Sequence, residues 1–388
     1  MARIIIFTGK GGVGKSSIAS AHAIKAAKDG LKTLIVSTDM AHNLGDIFMV
    51  DLKSEPIEVK ENLDVLEIDP NYELENQYNN ISAAMSTLIP SIVGESADTI
   101  KDIAMFPGCE ELLSLIKIKD LYEESKYDLI IVDCAPTGET LALLKFPELL
   151  SWYMEKLFPI ERVALKVLRP ISKLAFKIEL PDKAAMNDVE KLYDNLFKLQ
   201  ELLKNREICS VRLVTIPEKM VVEETKRSYM YLNLYNFNVD GIYINRIIPN
   251  EVQNTFFNEW KTIQGNYLEE IKNVFCDIPT FKIKWYDSDL NGVEYLNKIA
   301  RDSLNDKDIF KVLKKTENEI FKKLEAGYSL SVFVPFADKT EFDLFESDTE
   351  VIIKIGNFKR NIPLPDVVRR YQVVSAKLED GKLNIIFG

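Results

Sequence analysis

The chain has 388 residues, of which 46% are apolar and 28% are charged, so it is long enough to bury a sizeable core. Its 60 acidic residues outnumber its 49 basic ones, and the net charge of -11 repels a phosphate backbone, which argues against nucleic acid as a partner. The sequence has no apolar run of about 18 residues and no signal-peptide pattern, so we expect a cytoplasmic protein without an integral membrane segment.

The N-terminal residues alternate strand signals with a helix signal. Arg3 to Thr8 form an apolar run, Ser16 to Lys28 are rich in alanine, and Thr33 to Val36 are apolar again, which predicts a βαβ unit. Because strands separated by helices form a doubly wound, mostly parallel sheet, we predict an α/β fold. Further strand candidates that end near polar or turn residues are Leu63–Ile68, Tyr127–Val132, Arg212–Ile216, Gly241–Ile244 and Pro279–Ile283.

Two segments are too long to be simple connections between strands. Residues 71–124 and 149–205 both have helical patterns, and we predict that they form a helical subdomain inserted into the α/β fold. The second segment mixes apolar residues such as Trp152 with basic residues such as Lys156 and Arg162. Two interpretations stay open: amphipathic helices packed in the core, or a face that binds a client protein or a membrane surface.

Towards the C-terminus, the spacing of the apolar residues changes from one typical of a helix to one typical of strands. Residues Lys307 to Glu325 are rich in lysine and glutamate and predict a helix, after which apolar residues recur at every second position from Leu330. Asp380-Gly381 lies between two apolar runs and predicts a hairpin, because both residues tolerate positive φ. We therefore expect a large domain over residues 1–325 and a small all-β sandwich over residues 327–388.

A glycine-rich motif lies between the first predicted strand and the first predicted helix. Residues 9–16, GKGGVGKS, fit the pattern G-x-x-x-x-G-K-[ST], in which backbone N–H groups wrap phosphates. In such a loop Lys15 neutralises the phosphates and the Ser16 hydroxyl ligates Mg²⁺, so ATP and Mg²⁺ are the predicted cofactors. The predicted phosphate-binding residues are Gly9, Lys10, Gly11, Gly12, Val13, Gly14, Lys15, Ser16 and Ser17.

Two aspartates follow predicted strands and are candidates for the chemistry. Asp133 follows Tyr127 to Val132 and can hold the water ligands of the metal ion, so we predict Ser16 and Asp133 as the metal site. Asp39 follows the second strand and would lie near the terminal phosphate, where its carboxylate can orient the attacking water. A helix cap is the alternative interpretation of Asp39.

Three segments together resemble the arsenite-pump-driving and tail-anchored-protein-targeting ATPases. They are the glycine-rich motif with its additional Lys10, STDMAHNL at residues 37–44, and DCAPTGETL at residues 133–141. The likeness continues through residues 211–249 and 279–296 and covers about 300 residues. The segment from Gly327 is similar to the α-crystallin-like (small heat-shock protein) domain of the bacterial members.

The resemblance implies a Mg²⁺-dependent ATPase of the signature-lysine class that works as a homodimer. It implies that Lys10 reaches the partner's phosphates, that Asp39 positions water, and that Asn245 contacts adenine. Residues 39–46 and 133–140 would be the two switch segments. The partner that it suggests is a hydrophobic or membrane-protein client.

The sequence departs from the usual pattern of this family at four positions that bear on the switches and the adenine loop. Met40 and Lys284 stand where proline is usual, Glu139 where the targeting factors have histidine, and Ala142 where arginine is common. These changes affect the expected coupling of the switches more than nucleotide binding.

The positions of the four cysteines distinguish between the alternative functions of the chain. Cys109, Cys134, Cys209 and Cys276 are widely spaced without a C-x-x-C pair, which predicts reduced thiols and neither a disulfide framework nor a self-contained zinc site. An arsenite-pump driver needs three convergent thiolates, and no such trio is evident. A chaperone or targeting factor is therefore favoured over a pump driver. A partitioning ATPase and an iron–sulfur reductase are the remaining alternatives.

Overall fold

The structure is a computed structural model, and it describes residues 2–38, 43–77, 109–134, 183–289, 291–305, 308–337, 342–356 and 358–388. The statements below concern these residues. The predicted strands and helices that lie in residues 78–108 and 135–182 are outside the described part of the chain.

One large sheet forms the centre of the N-terminal part. Its strands are β1 (Arg3–Thr8), β2 (Thr33–Ser37), β3 (Ile57–Lys60), β4 (Leu63–Glu67), β5 (Leu129–Asp133), β6 (Cys209–Thr215), β7 (Val239–Ile247) and β8 (Thr280–Lys284). Their order across the sheet is β3-β4-β2-β5-β1-β6-β7-β8. The pair β3–β4 is antiparallel and the other pairs are parallel. The predicted doubly wound, mostly parallel α/β fold is confirmed.

Helices cover both faces of this sheet. The described helices are α1 (Lys15–Lys28), α2 (Asn43–Phe48), α3 (Pro70–Gln77), α4 (Cys109–Glu123), α5 (Lys183–Lys204), α6 (Lys219–Leu234), α7 (Thr255–Val274) and α8 (Val293–Ser303). α1 and α8 share one apolar core with Ile5, Phe7 and Ile131. α4, α5 and α6 share the other core with Ile4 and Ile130, the alternate residues of the same strands. None of the described helices is long and apolar enough to cross a membrane.

The central position of β1 creates the site. β1 pairs with β5 on one side and with β6 on the other, so Phe7 lies beside both Asp133 and Arg212. The chain therefore winds outward in both directions from β1, and a crevice opens at the carboxyl ends of these strands. Both the glycine-rich loop and Asp133 lie at this edge.

The C-terminal residues form the predicted all-β sandwich. The strands are β9 (Glu319–Lys323), β10 (Tyr328–Phe333), β11 (Phe342–Glu346), β12 (Glu350–Ile355), β13 (Phe358–Pro363), β14 (Val373–Glu379) and β15 (Lys382–Phe387). A four-stranded sheet has the order β14-β15-β10-β9 and a three-stranded sheet has the order β11-β12-β13. The hairpin prediction is confirmed, because Asp380 and Gly381 connect β14 and β15 with φ of 50° and 69°.

The predicted helix over 307–325 is wrong. Residues 308–318 run as turns and extended chain, and residues 319–323 form β9, which pairs antiparallel with β10. The lysines and glutamates of this segment favour a helix by propensity, but its backbone instead bonds to two neighbouring elements. Asn238, which directly precedes β7, donates to the Lys314 carbonyl and accepts from the Thr316 N–H.

The β-sandwich packs directly on α6. The Tyr231 and Phe358 rings stack with centroids 3.4 Å apart, and the Tyr235 hydroxyl donates to the Lys359 carbonyl at 2.9 Å. Arg360 of β13 donates to the Leu234 carbonyl and pairs with Glu319 of β9. The sandwich is therefore joined to α6, and the apolar residues of the sandwich continue the core that α6 shares with the large sheet.

Candidate nucleotide-binding site

The glycine-rich loop connects β1 to α1 at the carboxyl edge of the sheet. β1 ends at Thr8, α1 begins at Lys15, and Gly14 precedes the helix in the left-handed region with φ 93° and ψ 32°. The free N–H groups of a helix N-terminus and the surrounding loop favour a bound anion. Lys15, the first residue of α1, is only 7% exposed.

Two glycines of the loop are required by close contacts. A Cβ on Gly9 would lie 2.2 Å from the Val214 carbonyl oxygen, and one on Gly14 would lie 2.3 Å from Asn245 Nδ2. Both residues also have a φ that side chains disfavour, 152° and 93°. The loop thus packs closely against β6 and β7. These contacts set the backbone conformation of the loop in the absence of a ligand.

Asp133 lies at the end of β5, between the strand of the glycine-rich loop and β2. It is 1% exposed, and its backbone carbonyl accepts from the Thr38 N–H at 3.0 Å. Cys134 continues this edge by donating its N–H to the Phe7 carbonyl at 3.0 Å. A hydroxyl and a carboxylate are hard oxygen donors that suit Mg²⁺, so Ser16 and Asp133 fit the predicted metal ion.

Lys10 is the second residue of the loop, and it is more exposed than Lys15. Its ammonium pairs with Glu224 of α6 at 3.4 Å, and each of these two side chains is about one third exposed. Glu224 was not predicted from the sequence, because it lies far along the chain and has no motif of its own. The pair leaves Lys10 partly exposed at the protein surface.

Asn245, near the end of β7, contacts the loop from the other side. Its Nδ2 donates to the Val13 carbonyl at 2.8 Å, and its Oδ1 accepts from the Arg246 N–H at 2.9 Å. It also lines a cavity of about 220 Å³ that begins at Gly14 and Ser17. The rest of the wall is Arg246, Lys284, Trp285, Tyr286, Ser288, Asp289 and Asn291.

The end of β8 and the residues after it form the far wall of this cavity, and an ion pair of Lys284 ties them to α8. Lys284 Nζ lies 2.7 Å from the Asp302 carboxylate of α8, and the Tyr286 hydroxyl donates to the same carboxylate at 3.3 Å. The Lys284 hydrogen bond lowers the pKa of Asp302, and burial raises the pKa of Tyr286 to about 12. Lys284, which replaces the usual proline, is therefore tied to α8.

The described cysteines do not converge. Cys134 is buried at the carboxyl edge beside Asp133, whereas Cys209 is buried at the opposite end of the sheet, in register with Ile4. Burial raises the pKa of the Cys209 thiol to about 12, and Cys276 is exposed beyond α7. Within the described residues no group of three metal-binding side chains is present. The side chain of Cys109 lies outside them.

Several residues predicted from the sequence also fall outside the described part of the chain. Asp39 and Met40 belong to residues 39–42, and Glu139 and Ala142 belong to residues 135–182. Their assignments remain predictions. Of the second switch segment, only Asp133 and Cys134 are described.

Comparison with known proteins assigns the chain to a family. Residues 2–305 match the family model described as anion-transporting ATPase, and residues 325–387 match that of the HSP20-like domain found in ArsA. The chain belongs to the anion-transporting ATPase family. This match confirms the resemblance drawn from the sequence motifs, and ATP hydrolysis is the activity of this chain.

Similar proteins carry two kinds of name. This ATPase is 34% identical to "Putative arsenical pump-driving ATPase 1" of Aquifex aeolicus (strain VF5), over 99% of both chains. It is 29% identical to "ATPase ASNA1 homolog 1" of Paramecium tetraurelia, over 79% of this chain and 93% of that protein. It is also 29% identical to "ATPase get3" of Pyrenophora tritici-repentis (strain Pt-1C-BFP), over 77% and 90%.

Proposed function

We propose that this anion-transporting ATPase is a cytoplasmic, Mg²⁺-dependent homodimer that closes on ATP and handles a hydrophobic protein client. The observation that carries the proposal is the position of Lys10. Its ammonium pairs with Glu224 and about one third of its side chain is exposed, whereas Lys15 is only 7% exposed. The Lys10 ammonium is therefore available to bind the phosphates of ATP in another protomer.

Lys15 and the loop backbone bind and orient the phosphates in this proposal. Phosphoryl transfer depends mainly on positioning and on stabilisation of charge, which a buried ammonium and fixed N–H groups supply. Ser16 and Asp133 would hold Mg²⁺. The metal ion, when bound, neutralises charge on the terminal phosphates. Asp39 orients the attacking water, as its place after β2 in the sequence predicts.

Lys10 supplies its charge to the partner's phosphates. Because Lys15 already occupies the inner side of the loop, an outward lysine is better placed to serve a facing copy of the same loop. Two loops that face each other across a two-fold axis exchange their lysines, as a closed homodimer requires. Hydrolysis then depends on closure, so ATP turnover reports the state of the dimer.

The choice of a protein client over arsenite rests on the cysteines and the C-terminal sandwich. Among the described residues the thiols lie at opposite edges of the sheet or on the surface, so they offer no site for a soft metalloid. The HSP20-like sandwich is packed on α6, the helix that carries Glu224. The arsenical-pump names of relatives keep arsenite transport as the second candidate.

A subunit-complementation experiment tests the shared site. Lys10→Ala chains and Asp39→Asn chains should each be inactive alone, the second losing at least roughly 100-fold in rate because water is no longer oriented. Mixed one to one, they should recover about a quarter of the wild-type rate, because half of the dimers are mixed and each has one complete site.

The control mixes Lys10→Ala chains with chains that carry both Lys10→Ala and Asp39→Asn. No site is complete in any of these dimers, so no activity should return. Absence of rescue in the first mixture, with subunit exchange demonstrated by mass-tagged chains, would contradict the role of Lys10 across the dimer. So would full activity in a protein shown to be monomeric.

A further inference from the structure

The carboxyl end of β5 is held from both sides by backbone hydrogen bonds that extend the sheet beyond its regular strands. The Thr38 N–H, one residue after β2, donates to the Asp133 carbonyl at 3.0 Å. The Cys134 N–H, one residue after β5, donates to the Phe7 carbonyl at 3.0 Å. β5 therefore stays paired with both β2 and β1 up to Asp133, the residue proposed to hold the metal ion.

A side-chain contact joins the same two positions. The Thr38 hydroxyl donates to the Cys134 sulfur, with the oxygen and the sulfur 3.6 Å apart. The two residues are 4% and 1% exposed. A thiol sulfur is a weak hydrogen-bond acceptor, but water does not compete for the hydroxyl at a buried position. The contact thus links the first residue after β2 to the first residue after β5.

Packing in the core is the alternative explanation for Cys134. Its side chain belongs to the apolar core that contains Ile130 and Val132 of β5. Packing alone does not require a hydroxyl next to the sulfur, because an apolar residue in place of Thr38 would fill the same space. The hydrogen bond, made directly after Asp133, therefore favours a role at the nucleotide site.

We propose that Thr38 and Cys134 are positioning residues for the metal ion of the nucleotide site. Their contact fixes the backbone that carries the Asp133 carboxylate. Because Mg²⁺ demands near-ideal octahedral geometry, a small displacement of a carboxylate that holds its water ligands weakens metal binding. The inference rests on the proposed role of Asp133 in holding Mg²⁺, and it is independent of whether the chain dimerises.

The increase in ADP affinity that Mg²⁺ causes measures the metal site without hydrolysis. Isothermal titration calorimetry of the full-length protein gives the Kd of ADP in EDTA and in excess Mg²⁺, and the ratio of the two is the Mg²⁺ enhancement. Thr38→Val, which removes the hydroxyl with little change in shape, should reduce this enhancement by roughly 2- to 10-fold, the range for one neutral hydrogen bond. Cys134→Ala should do the same. The Kd of ADP in EDTA should not change in either variant.

Conservative variants and a matched control separate this role from a general loss of packing. Thr38→Ser keeps the hydroxyl donor and Cys134→Ser keeps an acceptor, so both should retain most of the Mg²⁺ enhancement. Combining Thr38→Val with Cys134→Ala should cost no more than either change alone, because the same contact is lost in each case. Thr33→Val is the control: it removes a buried hydroxyl at the opposite end of β2, where Thr33 donates to the Leu31 carbonyl at 2.9 Å. It should keep the full enhancement.

Asp133→Asn distinguishes failure of the positioning role from failure of the metal site. If Asp133→Asn abolishes the Mg²⁺ enhancement while Thr38→Val and Cys134→Ala retain it, Asp133 holds Mg²⁺ without this contact and the positioning role is wrong. Equal losses in Thr38→Val and Thr33→Val would reveal a general weakening of β2 and would also overturn the role. If Asp133→Asn keeps the full enhancement, the proposed metal site is wrong, and the positioning role is wrong with it.

Discussion

At the scale of single residues, the pair between Lys10 and Glu224 sets the resting position of the outer lysine. The two charges are 3.4 Å apart at a partly exposed position, so the pair stabilises the free protomer by about 0.2–1 kcal/mol. If Lys10 must reach a partner's phosphates, closing a dimer breaks two such pairs. In the proposed homodimer, Glu224 would therefore oppose closure to a small but measurable extent.

We predict that Glu224→Gln lowers the protein concentration needed for half-maximal ATPase activity. The shift should be roughly 2- to 30-fold, because two weak pairs no longer have to be broken for each dimer. ATPase rates measured over a dilution series check this prediction. Glu223→Gln, which removes the neighbouring carboxylate that pairs with Lys226, is the control and should show no shift. If Glu224→Gln instead needed a higher protein concentration for half-maximal activity, Glu224 would stabilise the closed dimer rather than oppose it.

At the scale of elements, a buried polar network joins α1, β6, β7 and the segment 308–318. His22 of α1 donates from Nδ1 to the Ile18 carbonyl and accepts at Nε2 from the Tyr243 hydroxyl. Burial lowers the pKa of His22 to about 3, so this ring stays neutral. Arg212 donates to Tyr243 and pairs with Asp240 at 3.1 Å.

The same two charges bind the segment that leads to the sandwich. Arg212 donates to the Ile309 carbonyl at 2.6 Å, and Asp240 accepts from the Leu313 N–H at 3.0 Å. Both charged side chains are fully buried. The segment 308–318 is consequently part of the ATPase core. These hydrogen bonds to Arg212 and Asp240 explain why this lysine-rich segment does not form a helix.

We predict that Asp240→Asn destabilises the protein by about 3–5 kcal/mol, because it leaves the fully buried Arg212 without its counter-charge. Urea unfolding followed by far-UV circular dichroism measures the change. Asp308→Asn removes the partner of Lys311 at an exposed position and is expected to leave the unfolding midpoint unchanged. Equal effects of the two substitutions would contradict the role of the buried pair.

At the scale of the whole molecule, the sandwich and the ATPase domain share a continuous core through α6. The end of α6 contacts Phe358 and Arg360, and an earlier turn of the same helix carries Glu224 beside the glycine-rich loop. A client bound to the sandwich would thus act on the helix next to the nucleotide.

The whole-molecule prediction concerns arsenite. We expect As(III) and Sb(III) to leave the ATPase rate unchanged within about twofold, because the described thiols do not form a set of convergent sulfur ligands. Steady-state hydrolysis with and without the metalloid measures this. A large stimulation that is abolished by Cys109→Ser, and not by Cys276→Ser, would favour the pump-driving candidate instead.

The sequence by itself determined the nucleotide chemistry and the fold class. The spacing of Gly9, Gly14, Lys15 and Ser16 after an apolar run specifies a phosphate loop, because backbone geometry there depends on residue type at neighbouring positions. Alternation of strand and helix signals predicted the parallel sheet, and the Asp380-Gly381 turn predicted the last hairpin. Each of these features depends on residues that are close together in the sequence, so it can be predicted without the tertiary structure.

Only the tertiary structure decided which distant residues meet. Glu224 lies beside Lys10, Asn245 contacts Val13, and Trp285 lines the same cavity as Gly14. Each of these residues is more than 200 residues away from the glycine-rich loop in the sequence. The path of residues 308–318 was likewise decided by the buried Arg212 and Asp240, which outweigh helix propensity. Such contacts depend on how strands are ordered in the sheet, and residue spacing alone does not contain that order.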